Sequence, residues 1–182
     1  MGKQKITAVI PALNEEETIS DVLKGIRPYV DEVILVDDGS TDKTAEIAQR
    51  ENVTVLSNGK NMGYEQSIDR GFALGVARGA TILLTFDGDG QHNPKDIPGI
   101  IEPILRGEAD VVVGARPHYP RITEHLFAII ARKKVGIKDP LCGLKAYCAD
   151  VYKDIGYFDK NSSIGVQFVF DAKRKGYRIA QR

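Results

Sequence analysis

Short β-branched and aliphatic runs in this chain repeatedly stop at a turn rich in acidic residues, and each turn is followed by an amphipathic stretch with helical spacing. The runs cover residues 6–10, 32–36, 53–56, 80–86 and 110–113. Helical patterns fit 19–26, 43–51, 65–78 and 96–105 between them. Ile19, Val22, Leu23 and Ile26 are spaced for one helix face, with Glu15, Glu16 and Glu17 at the positive end of the dipole and Pro28 at its close. Asp42 can cap the second helix, while Gly71 and Gly75 weaken the third. Strands alternating with helices at βα spacing predict an α/β fold, a mostly parallel Rossmann-like sheet with helices on both faces. The unbroken apolar runs suit strands covered on both sides.

The acidic turns give that fold a chemical polarity. Asp37-Asp38 and Asp87/Asp89 both fall just past the end of an apolar strand, so the topology puts four carboxylates on the rim where open α/β sheets bind ligands. Two carboxylates flanking Gly88 can converge on one hard cation, Mg2+ or Mn2+, which readily shares substrate phosphates. A solvated turn is the competing reading. Gln91 can complete such a shell, and His92 can either orient a carboxylate or cap the next turn. Asp38 is open to two uses, a turn or helix cap and an acceptor for a base or ribose. Pro11 ends the first strand, while Asn14 and Glu15 can cap a helix or touch a base.

Beyond residue 116 the alternation blurs. An amphipathic helix is expected over 121–135, with a basic end at Arg132, Lys133 and Lys134, and a last helix over 166–176 precedes a strand at 177–180. Arg116 follows a strand and so shares the rim. Arg116, Arg121 and Lys145 are either solvated cations or phosphate ligands, for which forked guanidinium groups are well shaped.

With 182 residues the chain suits one domain. Lys plus Arg and Asp plus Glu number 25 each, a balance that gives no support to a bulk nucleic-acid binder. The two cysteines, Cys142 and Cys148, read as small buried residues in a reducing, cytoplasmic setting, since no apolar leader follows Met1. No run approaches the ~18 apolar residues that span a bilayer; the segment 126–131 is far shorter.

Five ordered stretches together resemble family 2 glycosyltransferases of the GT-A fold, and within them the dolichyl-phosphate mannose synthase-like group. They are Val9-Ile-Pro-Ala-Leu-Asn-Glu15, Ile34-Leu-Val-Asp-Asp-Gly-Ser-Thr-Asp-Lys-Thr44, Asp87-Gly-Asp-Gly-Gln-His92, Val113-Gly-Ala-Arg116 and Asp139-Pro-Leu-Cys-Gly-Leu-Lys145. The resemblance implies a single GT-A domain over 1–182, with 1–115 binding the nucleotide sugar and 116–182 facing the acceptor. It implies that Pro11, Asn14, Glu15 and Asp38 line the nucleotide pocket and that Asp87, Asp89 and Gln91 hold the metal and diphosphate. Arg116 and Arg121 then receive the acceptor phosphate and the donor diphosphate, completing with Asp89 the catalytic set. The expected reaction moves a mannose- or glucose-type sugar from a GDP- or UDP-sugar to a polyprenyl (dolichyl) phosphate with inversion, in peripheral contact with a membrane face.

The chain departs from the group in a short 116–139 segment, in Tyr64-Glu65-Gln66 where small residues are usual, and in Gln167 where a glutamate is common. Three alternatives remain at this point. Transfer to a sugar hydroxyl would want a base, for which Asp139 is available. A sugar-phosphate nucleotidyltransferase would want a glycine-rich basic loop where this chain has acidic Pro11-Ala-Leu-Asn-Glu-Glu-Glu17. A non-catalytic nucleotide-sugar binding module is the third.

Overall fold

A computed structural model describes residues 3–115, 139, 141–159 and 163–182. Among them the chain forms β1 (Ile6–Ala12), α1 (Ile19–Ile26), β2 (Glu32–Asp37), α2 (Thr44–Arg50), β3 (Thr54–Ser57), α3 (Tyr64–Ala77), β4 (Ile82–Thr85), α4 (Ile97–Leu105), β5 (Val111–Val113), β6 (Lys145–Cys148), α5 (Ala149–Ile155), α6 (Val166–Arg174) and β7 (Ile179–Gln181). The strands build one sheet in the order β3-β2-β1-β4-β6-β5-β7. β6 runs antiparallel to β4 and β5, and the other pairings are parallel.

Alternate side chains of each strand point to opposite faces, and the core divides accordingly. Ala8, Ile10, Ala12, Leu35 and Leu84 pack beneath α1, α2 and α4. Val9, Ile34, Val36, Leu83 and Tyr147 face α3, α5 and α6. β4 and β5 are buried along their whole length, and β2 from Val33 onward, because both faces are covered. On the second face Phe72, Tyr147, Tyr152, Phe158 and Phe168 make mostly edge-to-face ring contacts with centroids 5.1–6.1 Å apart.

Within the described residues the elements expected from the sequence are present with edges moved by a residue or two. α1 buries the anticipated Ile19, Val22, Leu23 and Ile26, and Pro28 lies in the 3-10 turn that ends it. Gly71 and Gly75 do not break α3: a Cβ on Gly71 would lie 2.2 Å from Val9 Cγ1, so the glycines let the helix backbone settle onto the sheet. Asp42 stands one residue before the cap position. Its Oδ1 nevertheless accepts the Thr44 amide at 2.9 Å, while Oδ2 accepts the Glu16 amide at 3.1 Å. The strand β6 and the helix α5 were not anticipated. The expected helix over 121–135 lies outside the described residues.

Because β6 is antiparallel, it enters the sheet at the edge where β1, β2, β4 and β5 leave it. Register sets Ala12 beside Asp37, and Val9, Thr85, Lys145 and Val113 in one row just inside that edge. The acidic turns and the chain preceding β6 therefore share one rim.

Candidate active site

The β1–α1 and β2–α2 turns are laced together. Asn14, held at φ +56°, accepts the Thr41 amide at 2.8 Å through Oδ1, and its own amide donates to Ser40 Oγ at 3.0 Å. The Glu15 amide donates to Thr44 Oγ1 at 2.7 Å. Asp37 Oδ1 accepts the Ser40 amide at 3.0 Å. Thr18, opening α1, donates from its hydroxyl to the Gly88 carbonyl at 2.8 Å, so the first turn supports the Asp87–Asp89 turn directly.

Asp38 is buried and faces inward. Its Oδ1 accepts the Asn58 side-chain amide at 2.6 Å and the Met62 amide at 2.8 Å, and Oδ2 accepts the Gly63 amide at 2.9 Å. Burial opposes ionisation, but the Met62, Asn58 and Gly63 donors outweigh it and hold the carboxyl below the ordinary aspartate value. This carboxylate organises the segment that launches α3.

Asp87 lies directly past β4. His92 Nε2 is 3.0 Å from its Oδ2, and the acceptor-only carboxylate sets the imidazole proton on that nitrogen. Of the two uses open to His92, the structure displays the first, since Asn93 does the capping by accepting the Lys95 amide at 3.1 Å. Tyr64 lines the same cavity; burial first, then the Asp87 charge, push its phenol well above the ordinary value. Asp89 Oδ1 accepts the Gln91 amide at 2.9 Å.

Gly143, two residues before β6, gives Asp87 its room. A Cβ there would lie 1.9 Å from Asp87 Oδ2 and 2.6 Å from Cγ. Thr85, the last residue of β4, donates its hydroxyl to the Gly143 carbonyl at 2.6 Å and fixes this approach.

A cavity of about 390 Å³ opens over these groups, lined by Pro11, Glu15, Tyr64, Asp87, Gly88, Asp89, Gln91, His92, Leu141, Gly143 and Ile164. It gathers Pro11, Glu15, Asp87, Asp89 and Gln91 from the expected site. Asn14 and Asp38 do not line it; they hold the turns behind it. Arg116 and Arg121 lie outside the described residues. Tyr64, Leu141 and Ile164 were missed as lining residues, and only the bulk at Tyr64-Glu65-Gln66 was a signal for one of them. Among the described residues no three Asp, Glu, His or Cys side chains converge to cage an ion alone. The donor set is two carboxylates and an amide oxygen beside open space, which suits a hard cation shared with ligand oxygens.

The chain matches the model of Glycosyl transferase family 2 over residues 7–148 and belongs to that family. The UDP-N-acetylglucosamine–dolichyl-phosphate N-acetylglucosaminyltransferase of Methanococcus voltae is 32% identical over 139 residues, which are 66% of this chain and 55% of the relative. The undecaprenyl-phosphate mannosyltransferase of Micrococcus luteus is 28% identical across 98% of this chain and 80% of its own. Among solved structures, glucosyl-3-phosphoglycerate synthase from Mycobacterium tuberculosis in complex with Mn2+, UDP-glucose and phosphoglyceric acid superposes with a TM-score of 0.82 at 27% identity. That match covers 98% of this chain and 69% of the synthase. The chain is a glycosyltransferase with the fold of these enzymes, an α/β unit on a mostly parallel sheet. Among the described residues no helix is long and apolar enough to cross a membrane.

Proposed function

We propose that this glycosyltransferase moves a mannose- or glucose-type sugar from a nucleoside-diphosphate sugar to a polyprenyl phosphate, with inversion and with Mg2+ or Mn2+ held by Asp87, Asp89 and Gln91. The observation that carries the reading is the convergence of Pro11, Glu15, Asp87, Asp89 and Gln91 on one cavity at the strand-end rim. The mycobacterial structure with Mn2+ and UDP-glucose supports the ligand class, and the two polyprenyl-phosphate enzymes support the acceptor.

His92 orients Asp87, and the Gln91 amide orients Asp89, so both carboxylates are aimed before a ligand arrives. When bound, a divalent ion offsets the diphosphate charge and favours departure of the nucleoside diphosphate. A phosphate acceptor, with a second pKa of ~6, already carries its nucleophilic oxygen ionised near neutral pH. That oxygen bonds to the anomeric carbon as the bond to the diphosphate oxygen breaks on the opposite side, and no carboxylate base is required. In this reading residues 1–115 hold the donor and 116–182 the acceptor. Arg116 and Arg121 receive the phosphates, and the chain meets its lipid by peripheral contact with a membrane face. A second reading, transfer to a small phosphorylated acid, is favoured by the phosphoglyceric acid in the mycobacterial complex.

Thermal shift against UDP, GDP and their sugar conjugates, with and without Mn2+, tests the donor side. Saturation at ~100 times Kd stabilises by about 2.7 kcal/mol, worth roughly 5–10 °C in a chain of this size. Asp87→Asn and Asp89→Asn are expected to abolish the metal-dependent part. If no nucleotide gives a metal-dependent shift, the reading fails. Radiolabelled transfer to a short polyprenyl phosphate against 3-phosphoglycerate then separates the two acceptors.

A further inference from the structure

Ile164 occupies a conformation that its side chain disfavours. Its φ is +54°, in the left-handed region where a β-branched residue is a genuine outlier. Three elements force it there. The Ile164 amide donates to Glu65 Oε1 at 3.1 Å, from the first turn of α3. Its carbonyl accepts from Lys145 Nζ at 2.8 Å, and Lys145 is a buried residue at the start of β6. On the C-terminal side the Gly165 amide donates to Asp159 Oδ2 at 2.9 Å, where φ is again positive at +72°. Backbone strain that persists because its surroundings over-determine it concentrates at functional sites.

The strain has a geometric result. Ile164 is among the few large apolar residues that stay exposed, at 37%, and it lines the cavity that contains Asp87 and Asp89. With Pro11, Tyr64 and Leu141 it makes the apolar part of a lining whose other part carries Glu15, Asp87, Asp89, Gln91 and His92. A glycine or asparagine would adopt the same backbone at little cost, so the backbone path alone does not call for isoleucine. The geometry points to Ile164 as a specificity-determining residue, whose side chain limits the group that the nucleoside diphosphate carries beside the carboxylate pair. Glu65 and Lys145 act as positioning residues that hold it in place. The inference rests on the nucleotide-sugar reading and deepens it. It also ties the unusual Tyr64-Glu65 bulk to a purpose: Tyr64 forms the wall and Glu65 pins its neighbour.

The test is calorimetric titration, with 1 mM Mn2+, of wild type, Ile164→Ala, Ile164→Gly, Glu65→Gln and Glu65→Ala. The ligands are UDP, GDP, UDP-glucose, UDP-N-acetylglucosamine and GDP-mannose. Ile164→Ala and Ile164→Gly are expected to keep the bare diphosphate Kd within about twofold while changing the ratio between sugar conjugates about tenfold, the discrimination that small changes in an apolar wall give. Ile164→Gly relieves the backbone and is expected to melt no lower than wild type, which separates specificity from folding. Glu65→Gln keeps an acceptor oxygen and the wild-type ratio, whereas Glu65→Ala moves it in the same direction as Ile164→Ala. Sugar ratios unchanged within twofold in both Ile164 variants overturn the inference, as does an equal loss for bare and conjugated ligands. If wild type binds none of the five ligands, the nucleotide-sugar reading falls, and this inference falls with it.

Discussion

Gly143→Ala separates the integrity of the fold from that of the site. A Cβ at 1.9 Å from Asp87 Oδ2 lies about 1.5 Å inside the 3.4 Å at which ordinary van der Waals contact begins. The obstacle is the end of a flexible side chain, so the carboxylate can swing away without moving backbone, and the φ of Gly143 is one an alanine adopts. The cost to stability is therefore small, and the reduced freedom of the unfolded chain returns about 0.4–1 kcal/mol. With roughly 2–4 °C per kcal/mol at this chain length, the melting temperature is expected to stay within about 4 °C of wild type. Metal ligation tolerates only about 0.2 Å of misplacement. A displacement near 1.5 Å removes Asp87 as a ligand and breaks its bond to His92. Misplacement on that scale costs about 100-fold, equivalent to about 2.7 kcal/mol. The assay is paired: melting by circular dichroism, and calorimetric titration of the nucleoside diphosphate with Mn2+. Metal-dependent affinity within twofold of wild type would refute the placement of Asp87 in the metal site. A fall in melting temperature of more than about 10 °C would refute the claim that the carboxylate gives way.

The same substitution at Gly71 has the opposite outcome, because a Cβ 2.2 Å from Val9 Cγ1 strikes a packed strand: Gly71→Ala is expected to destabilise by about 1–3 kcal/mol, read as a lower urea midpoint with little change in nucleotide affinity of the folded fraction. Asp38→Asn turns an acceptor oxygen into a donor facing the Met62 or Gly63 amide and is expected to cost about 1–3 kcal/mol. Because the folded Asp38 carboxyl sits below its unfolded value, its contribution is whole at neutral pH, erodes once the pH falls below the unfolded range near ~4, and is gone below the folded value. The gap in melting temperature between wild type and Asp38→Asn should accordingly narrow from pH 7 to pH 3. Arg178 grips Asp110 through Nε and Nη2 at 3.0 and 2.8 Å, yet it is more than half exposed, so Arg178→Met is expected to cost no more than about 1 kcal/mol by chemical denaturation.

Much of the N-terminal half of the sheet was legible because its signals are local. Apolar runs ending in acidic turns marked β1, β2 and β4, and the i, i+3, i+4 spacing of α1 survives in its buried face. Asp87 and Asp89 were placed by a rule of topology, the ligand-binding edge of parallel strands. What stayed illegible depends on distant partners. β6 begins with Lys145, a residue ordinarily exposed, and its burial makes sense only once the Ile164 carbonyl stands 2.8 Å from Nζ. Asp38 was open to two uses, a turn or an acceptor for a base or ribose. What it does in the fold hangs on donors of which two are backbone amides, which carry no signature in side-chain type. The glycines of α3 lowered its helical signal because the favourable contact is with Val9 and Leu83 on other elements. Ile164 breaks a conformational preference outright, and no local reading of an Ile-Gly pair foretells that.

The reversed strand β6 also orders events in time. β1, β2 and β3 associate through neighbouring βα units, but β6 must reach β4 across some sixty residues of chain, and such distant closures are slow and carry a larger entropic penalty. Gly143 arrives with that strand, so Asp87 acquires its final neighbour only as the sheet closes. Newly made chains with an unfinished sheet would then hold Asp87, Asp89 and Gln91 without the Leu141 and Gly143 wall of the cavity, and nucleotide binding would report that folding has ended. Pulsed hydrogen exchange during refolding checks this: protection of the β4–β6 amides should precede or coincide with the first metal-dependent nucleotide signal, never follow it.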